Sequence, residues 1–229
     1  IKRIGVEPCK NLADITNEIN IETYDKFWDL GLSKKINKVH GKFDLVYSAN
    51  TISHIHDLDD AFQSINLILN DDGVFILEDP SLLEVIKNTS YDQFYDEHAY
   101  VFSVISLNNL LKKTELEIFD IEKLTTHGGS NRVFIKKIRS NKKINDSVLK
   151  TINEELDMGM DKFETYQKFA KNVINSKNET IKIFTELKKN NKKIIGYGAT
   201  YKSSTILNYC GLDTKFIDYF TDTTENKQG

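Results

Sequence analysis

Two cysteines in 229 residues, Cys9 and Cys210, lie about 200 positions apart with no CxxC spacing. That excludes a disulfide framework and gives no cysteine zinc site within this chain, so no metal is expected here. No stretch approaches the roughly 20 apolar residues that a membrane span requires, and no signal-peptide pattern opens the sequence. The expectation is a cytoplasmic protein with reduced thiols and no membrane partner. Excess positive charge is also missing: 31 basic against 34 acidic residues leave a net charge of -3. A nucleic-acid partner is therefore not expected. The Lys-rich stretches at Lys34-Lys35, Lys136 to Lys143 and Lys188 to Lys193 read as solvated ends of elements. An initiator Met is absent as well: Ile1 opens within a strand pattern and Gly229 follows directly on another. The expected reading is an internal fragment of a longer protein.

What is present is an alternation of strand and helix patterns over the first 140 residues, the mark of a doubly wound α/β sheet. Strands are predicted over residues 1–7, 21–27, 43–48 and 74–77, and two more over 116–122 and 132–138. Helices are predicted over 11–19, 30–39 and 106–113, and one capped by Asp57 carries Leu58, Ala61, Phe62, Ile65 and Leu69 at helical spacing. Asn70-Asp71-Asp72-Gly73 reads as the stop signal of that helix. The basic segment 136–143 suggests a boundary, dividing the chain into domains 1–140 and 141–229. From Asp146 to Asn190 the pattern is helical, with a break expected near Asn175 to Asn178. Lys193 to Ala199 then begins a second strand, Gly turn and helix unit.

In open parallel sheets, ligands collect beyond the carboxyl ends of the strands, where loops and helix N-termini gather. Glu7, Asn50 with His54, and Glu78 with Asp79 map to that edge. Glu7, an acid closing a strand, is placed to take both ribose hydroxyls of an adenosine ligand. Asn50 and His54, four residues apart, can face one cleft. Tyr95-Asp96-Glu97-His98 puts a carboxylate beside an imidazole, which can hold its tautomer and raise its basicity, as a general base requires. Thr126-His127-Gly128-Gly129-Ser130-Asn131-Arg132 combines two glycines with Arg132, a pattern suited to a phosphate or an oxyanion. Gly196-Tyr197-Gly198-Ala199 is half of a dinucleotide fingerprint, with Tyr201 in place of the third glycine and Lys202 able to supply charge.

Together, Gly5-Val6-Glu7-Pro8, Asn50 to His54, Gly73 to Pro80, Tyr95 to His98, Thr126 to Arg132 and Gly196 to Tyr209 resemble the S-adenosylmethionine-dependent sugar C-methyltransferase family. The resemblance implies an incomplete class I methyltransferase Rossmann-like sheet, then helices and a second, smaller Rossmann-like domain that is truncated. It implies S-adenosylmethionine as cofactor, with zinc only in a missing N-terminal region that would also carry the first strand and its Gly-rich loop. The implied substrate is a nucleotide-linked 4-keto deoxysugar. By the family's pattern His98, oriented by Glu97, is the base, with His54 a second candidate. Glu7 and Asn50 would bind cofactor or sugar, and Tyr95 and the turn His127, Gly128, Gly129, Ser130 and Arg132 would shape the sugar pocket. Gly196, Gly198 and Lys202 would add substrate contacts. Three other readings stand beside this one: methyl transfer to oxygen or nitrogen, an NAD- or nucleotide-sugar-binding protein without methyl transfer, and a non-catalytic nucleotide-sugar binder.

Overall fold

The computed structural model describes residues 2–228. The chain forms two compact units that interleave along the sequence. The first takes the chain up to Asp79, then Val104–Lys123 and Asn131–Thr151. The second takes Pro80–Ser103, Leu124–Ser130 and the chain from Ile152 onward.

The first unit begins with strand β1 (Ile4–Val6), helix α1 (Lys10–Glu18) and strand β2 (Glu22–Tyr24). β1 and β2 pair in parallel, Gly5 opposite Thr23. Helix α2 (Leu30–His40) starts where the Asp29 carboxylate accepts the Leu32 N–H at 2.7 Å, and it stops at Gly41, whose φ of 75° suits a residue without Cβ. Strand β3 (Phe43–Ala49) and a 3-10 turn over Ile52–His54 lead to helix α3 (Leu58–Ile68), capped as expected by Asp57 accepting from the Asp60 N–H. α2 and α3 are tied by the Trp28 indole N–H on the Ala61 carbonyl and by the Leu30 N–H on the Asp60 carboxylate.

Strand β4 (Leu69–Pro80) begins without the expected four-residue stop. Leu69 already pairs with Phe43, and Asn70 to Gly73 are absorbed where the register shifts between Phe43 and Leu45. The Asn70 amide bonds to Asp44 and so draws this polar segment into the ladder. Helix α5 (Val104–Lys112), strand β5 (Leu116–Leu124) and strand β6 (Ser130–Lys137) follow, with helix α4 (Leu82–Asn88) preceding them in the other unit. The four strands lie in the order β3-β4-β6-β5. Phe62 and Phe75, both fully buried, meet edge to face with centroids 6.4 Å apart in this core.

Lys136 and Lys137 correct the expectation of solvated ends. Both lie on β6 and are buried, Lys136 against Glu117 at 2.7 Å and Lys137 against Asp71 at 3.5 Å. Burial holds the Lys137 ammonium below its ordinary value, and Lys42 and Arg139 add to that.

The second unit contains a 3-10 turn at Tyr91–Gln93, helix α7 (Phe163–Lys189), strand β7 (Ile195–Tyr197), helix α8 (Tyr201–Cys210) and strand β8 (Tyr219–Thr221). β7 and β8 pair in parallel. Leu83, Ile86 and Met160 form one buried apolar cluster in this unit, with Tyr166 and Phe169 packed against them. Helix α6 (Asp146–Asp157) ends at Gly159, not near Asn175. Gly159 takes a φ of 74°, and the Met160 N–H reaches back to the Glu155 carbonyl, a closure that ends the helix. Asn175 and Asn178 sit inside α7, where asparagine costs only a fraction of a kcal/mol, about 0.7 at most, relative to alanine. No helix among the described residues is long and apolar enough to cross a membrane.

Candidate functional site

In the first unit the sheet is interrupted. Among the described residues, β1 pairs only with β2, and β3 pairs only with β4. Residues of both strands, with Trp28, Ile36 and Ile65 from the helical layer, line a cavity of about 380 Å³. Leu45 and Tyr47, two residues apart and so on one face of β3, are more than half exposed although they lie mid-strand.

Three sequence candidates sit around this cavity. Val6 and Pro8 line it on either side of Glu7, whose carboxylate accepts the Cys9 N–H at 2.8 Å. Ala49 and Thr51 line it on either side of Asn50, an exposed residue held at a φ of 50°, with its N–H on the Glu78 carbonyl. His54 closes the 3-10 turn and lines the cavity directly. An apolar floor with an acid at a strand end fits the adenosine part of S-adenosylmethionine.

Asp79 lies beneath the His54 turn. It is 5% exposed, and one carboxylate oxygen accepts from the Ser53 hydroxyl at 2.9 Å, while the other is buried with no partner. Burial pushes its pKa up to about 7, and the bonds from Ser53 only partly oppose this. Between the unfolded value near 3.8 and about 7, the folded unit holds more protons than the unfolded chain. The stability linked to this group is therefore complete below that window and is lost as pH rises through 7. Asp79→Asn, which cannot ionise but keeps the acceptor for Ser53, should stabilise the protein at pH 8 by an amount on the order of a few kcal/mol. At pH 4 it should change little. Urea melts at both pH values decide this, and equal shifts at the two would refute it.

Arg132 is engaged within the same unit. Its guanidinium donates to Glu78 and, at 2.7 Å, to Glu122. Two carboxylates on one guanidinium leave little charge for a phosphate. The expected anion contact is thus an ion-pair network in this structure, and Glu122 gave no sequence signal for it.

The second unit gathers the other candidates. The His98 Nδ1 faces the Gln93 carbonyl at 2.8 Å, and its Nε2 faces the Tyr95 hydroxyl at 2.9 Å. A carbonyl only accepts, so Nδ1 carries a proton, and in the neutral ring the Nε2 lone pair receives the Tyr95 O–H. Gln93 and Tyr95 thus hold the ring from both sides, while the Glu97 expected to orient it is exposed. Tyr201 stacks on Tyr95, with ring planes 7° apart and centroids at 6.0 Å. Burial, with the Glu97 charge and Tyr201 adding to it, raises the Tyr95 hydroxyl above its ordinary value.

His127 sits in a 3-10 turn (Thr126–Gly128) at a φ of 56°. The turn is anchored through its carbonyls, which accept from the Gln93 amide at His127, from Asn88 at Gly128 and from the Ser81 N–H at Gly129. A Cβ on Gly129 would run into Glu84, so glycine is required there. The Ser130 hydroxyl closes the turn on the Thr126 carbonyl. Burial lowers the His127 pKa, and Lys202 lowers it further.

The glycine turn before α8 is internally satisfied. The Gly198 N–H donates to the Thr221 carbonyl and the Ala199 N–H to the Asp222 carboxylate, both at 2.8 Å. Thr200 and Ser203 cap the helix reciprocally. The N–H groups of Thr224 and Ala199 hold Asp222 at about 2. A Cβ on Gly196 would strike the Phe220 ring, so that glycine serves strand packing.

Residues 2–121 match the family described as "Methyltransferase domain", and residues 125–229 match "C-methyltransferase C-terminal domain". The C-methyltransferase NovU of Streptomyces niveus is 31% identical over 226 residues, covering 99% of this chain and 54% of that protein. The chain thus spans about half the length of this curated relative. Among solved structures, a methyltransferase from Thermotoga maritima described as a possible histamine N-methyltransferase is 19% identical with a TM-score of 0.42, over 57% of this chain and 72% of that one. A methyltransferase from Anabaena variabilis is 14% identical with a TM-score of 0.46, over 58% and 67%.

Proposed function

Since the chain belongs to the methyltransferase-domain family over residues 2–121, with a C-methyltransferase C-terminal domain after it, we propose that it methylates carbon in a nucleotide-linked 4-keto deoxysugar. The observation that carries the proposal is the Tyr95-His98 pair, with the Nε2 lone pair of His98 turned toward the Tyr95 hydroxyl. S-adenosylmethionine, when bound, supplies an electrophilic methyl group. Glu7 and the walls of the β1-β3 cavity hold its adenosine part, and His54 and Asn50 border the same cavity.

A carbon next to a ketone becomes a nucleophile when its proton is removed and the enolate charge is met by donors. The Tyr95 oxygen takes that proton as its own passes to Nε2, leaving an imidazolium whose Nδ1–H rests on the Gln93 carbonyl. Lys202 is the cation of the second unit assigned to the sugar-linked diphosphate, because Arg132 is committed to two carboxylates. The dinucleotide reading loses support because the N–H groups that would cradle a pyrophosphate already bond to Thr221 and Asp222.

The test is isotope exchange. The full-length protein, incubated with a nucleotide-linked 4-ketosugar in deuterated water, should place deuterium next to the ketone, as read by NMR. Adding S-adenosylmethionine should then give a new carbon-bound methyl group. Methylation at oxygen or nitrogen, with no exchange, would sink the proposal.

A further inference from the structure

Gln93 joins the two clusters that the sequence marks separately, and nothing in its own type or spacing points to it. It ends the Tyr91–Gln93 turn and is 2% exposed. Its backbone carbonyl receives the His98 Nδ1–H at 2.8 Å, and its side-chain amide donates to the His127 carbonyl at 2.9 Å. The acceptor at His127 is a carbonyl, which fixes the amide: NH₂ faces His127, and Oε1 faces inward. That Oε1 is buried and has no hydrogen-bond partner.

A buried acceptor without a donor costs stability, and an apolar residue of the same length would fill the space without that cost. The polar side chain is therefore explained by what its donor holds. We infer that Gln93 is a positioning residue: by locking onto the His127 carbonyl, its side chain keeps its own backbone carbonyl in place to fix the tautomer of His98. His127, held at a φ of 56°, presents the carbonyl that receives this lock. The consequence for catalysis rests on the reading of His98 as the base, whereas the coupling itself does not.

The experiment uses the full-length protein labelled with ¹⁵N histidine, comparing wild type with Gln93→Met, which keeps length and removes the donor. Wild type should show His98 protonated at Nδ1 and bare at Nε2. In the folded variant that preference should collapse to mixed tautomers. Deuterium exchange into the ketosugar should fall by roughly 10- to 100-fold, with S-adenosylmethionine affinity within twofold. A folded Gln93→Met protein that keeps His98 wholly in the Nδ1–H form overturns the inference. If the variant does not fold, the wild-type Gln93 amide protons decide: slow solvent exchange and cross-peaks to His127 support the lock, and rapid exchange overturns it. Wild type that shows the tautomer but never exchanges the substrate proton refutes the catalytic reading alone.

Discussion

His98→Ala is expected to lower deuterium exchange and methyl transfer by roughly 10²- to 10⁴-fold, the range for loss of a general base. Cofactor affinity should be unchanged, because S-adenosylmethionine is assigned to the cavity between β1 and β3, which lies in the other unit. Tyr95→Phe separates the partners. It removes the hydroxyl that donates to Nε2 at 2.9 Å but keeps the ring that Tyr201 stacks against. If the proton passes through Tyr95, this variant should lose nearly as much as His98→Ala, and the double variant little more, since groups acting as one unit are not additive. A His98→Ala enzyme within tenfold of wild type would remove the pair from the mechanism. His54→Ala would then be the next variant to assay.

Phe62→Ala should destabilise the first unit by about 3–5 kcal/mol, the range for a large aromatic removed from a close-packed core. Phe62 is 0% exposed and loses its edge-to-face partner Phe75 as well as its contact area. The melting temperature should fall by about 10 °C or more. Phe163, 72% exposed at the start of α7, is the control, and its replacement by Ala should stay within about 0.5 kcal/mol. Equal melting of the two variants would refute this account of the core.

The parts legible in sequence are those set by local physics. Asp57 capping α3 and the apolar spacing of Leu58, Ala61, Phe62 and Ile65 depend on neighbours in the chain and are as expected, whereas Leu69, expected to continue that face, opens β4. Gly159 ending α6 was readable in principle, but a short Asn-rich segment is a weaker breaker than a single left-handed glycine. The site was legible as residue types and not as partnerships. Tyr95 and His98 stood out by composition, yet the groups orienting the imidazole are a backbone carbonyl and a phenol, and a carbonyl has no letter in the sequence. Lys136 looked like a solvated end because its ionic partner Glu117 reaches it only through the fold, the Ser140 carbonyl coming from the turn just after β6. Gln93 and Asp222 were silent for the same reason.

The interleaving of the two units carries a consequence for how such a protein can be altered. Tyr95 and His98 lie in one excursion, Pro80–Ser103, and His127 in another, Leu124–Ser130. Each excursion departs from the first unit and returns to it, while Glu7 and His54 stay behind. On the proposed function, these two short cassettes of 24 and 7 residues would carry the Tyr95–His98 pair and the His127 turn, while Lys202 lies outside both. Exchanging both cassettes together between relatives should move the Tyr95–His98 pair and the His127 turn while leaving Glu7, His54 and Lys202 in place. Exchanging the longer one alone would replace Gln93, the donor to the His127 carbonyl.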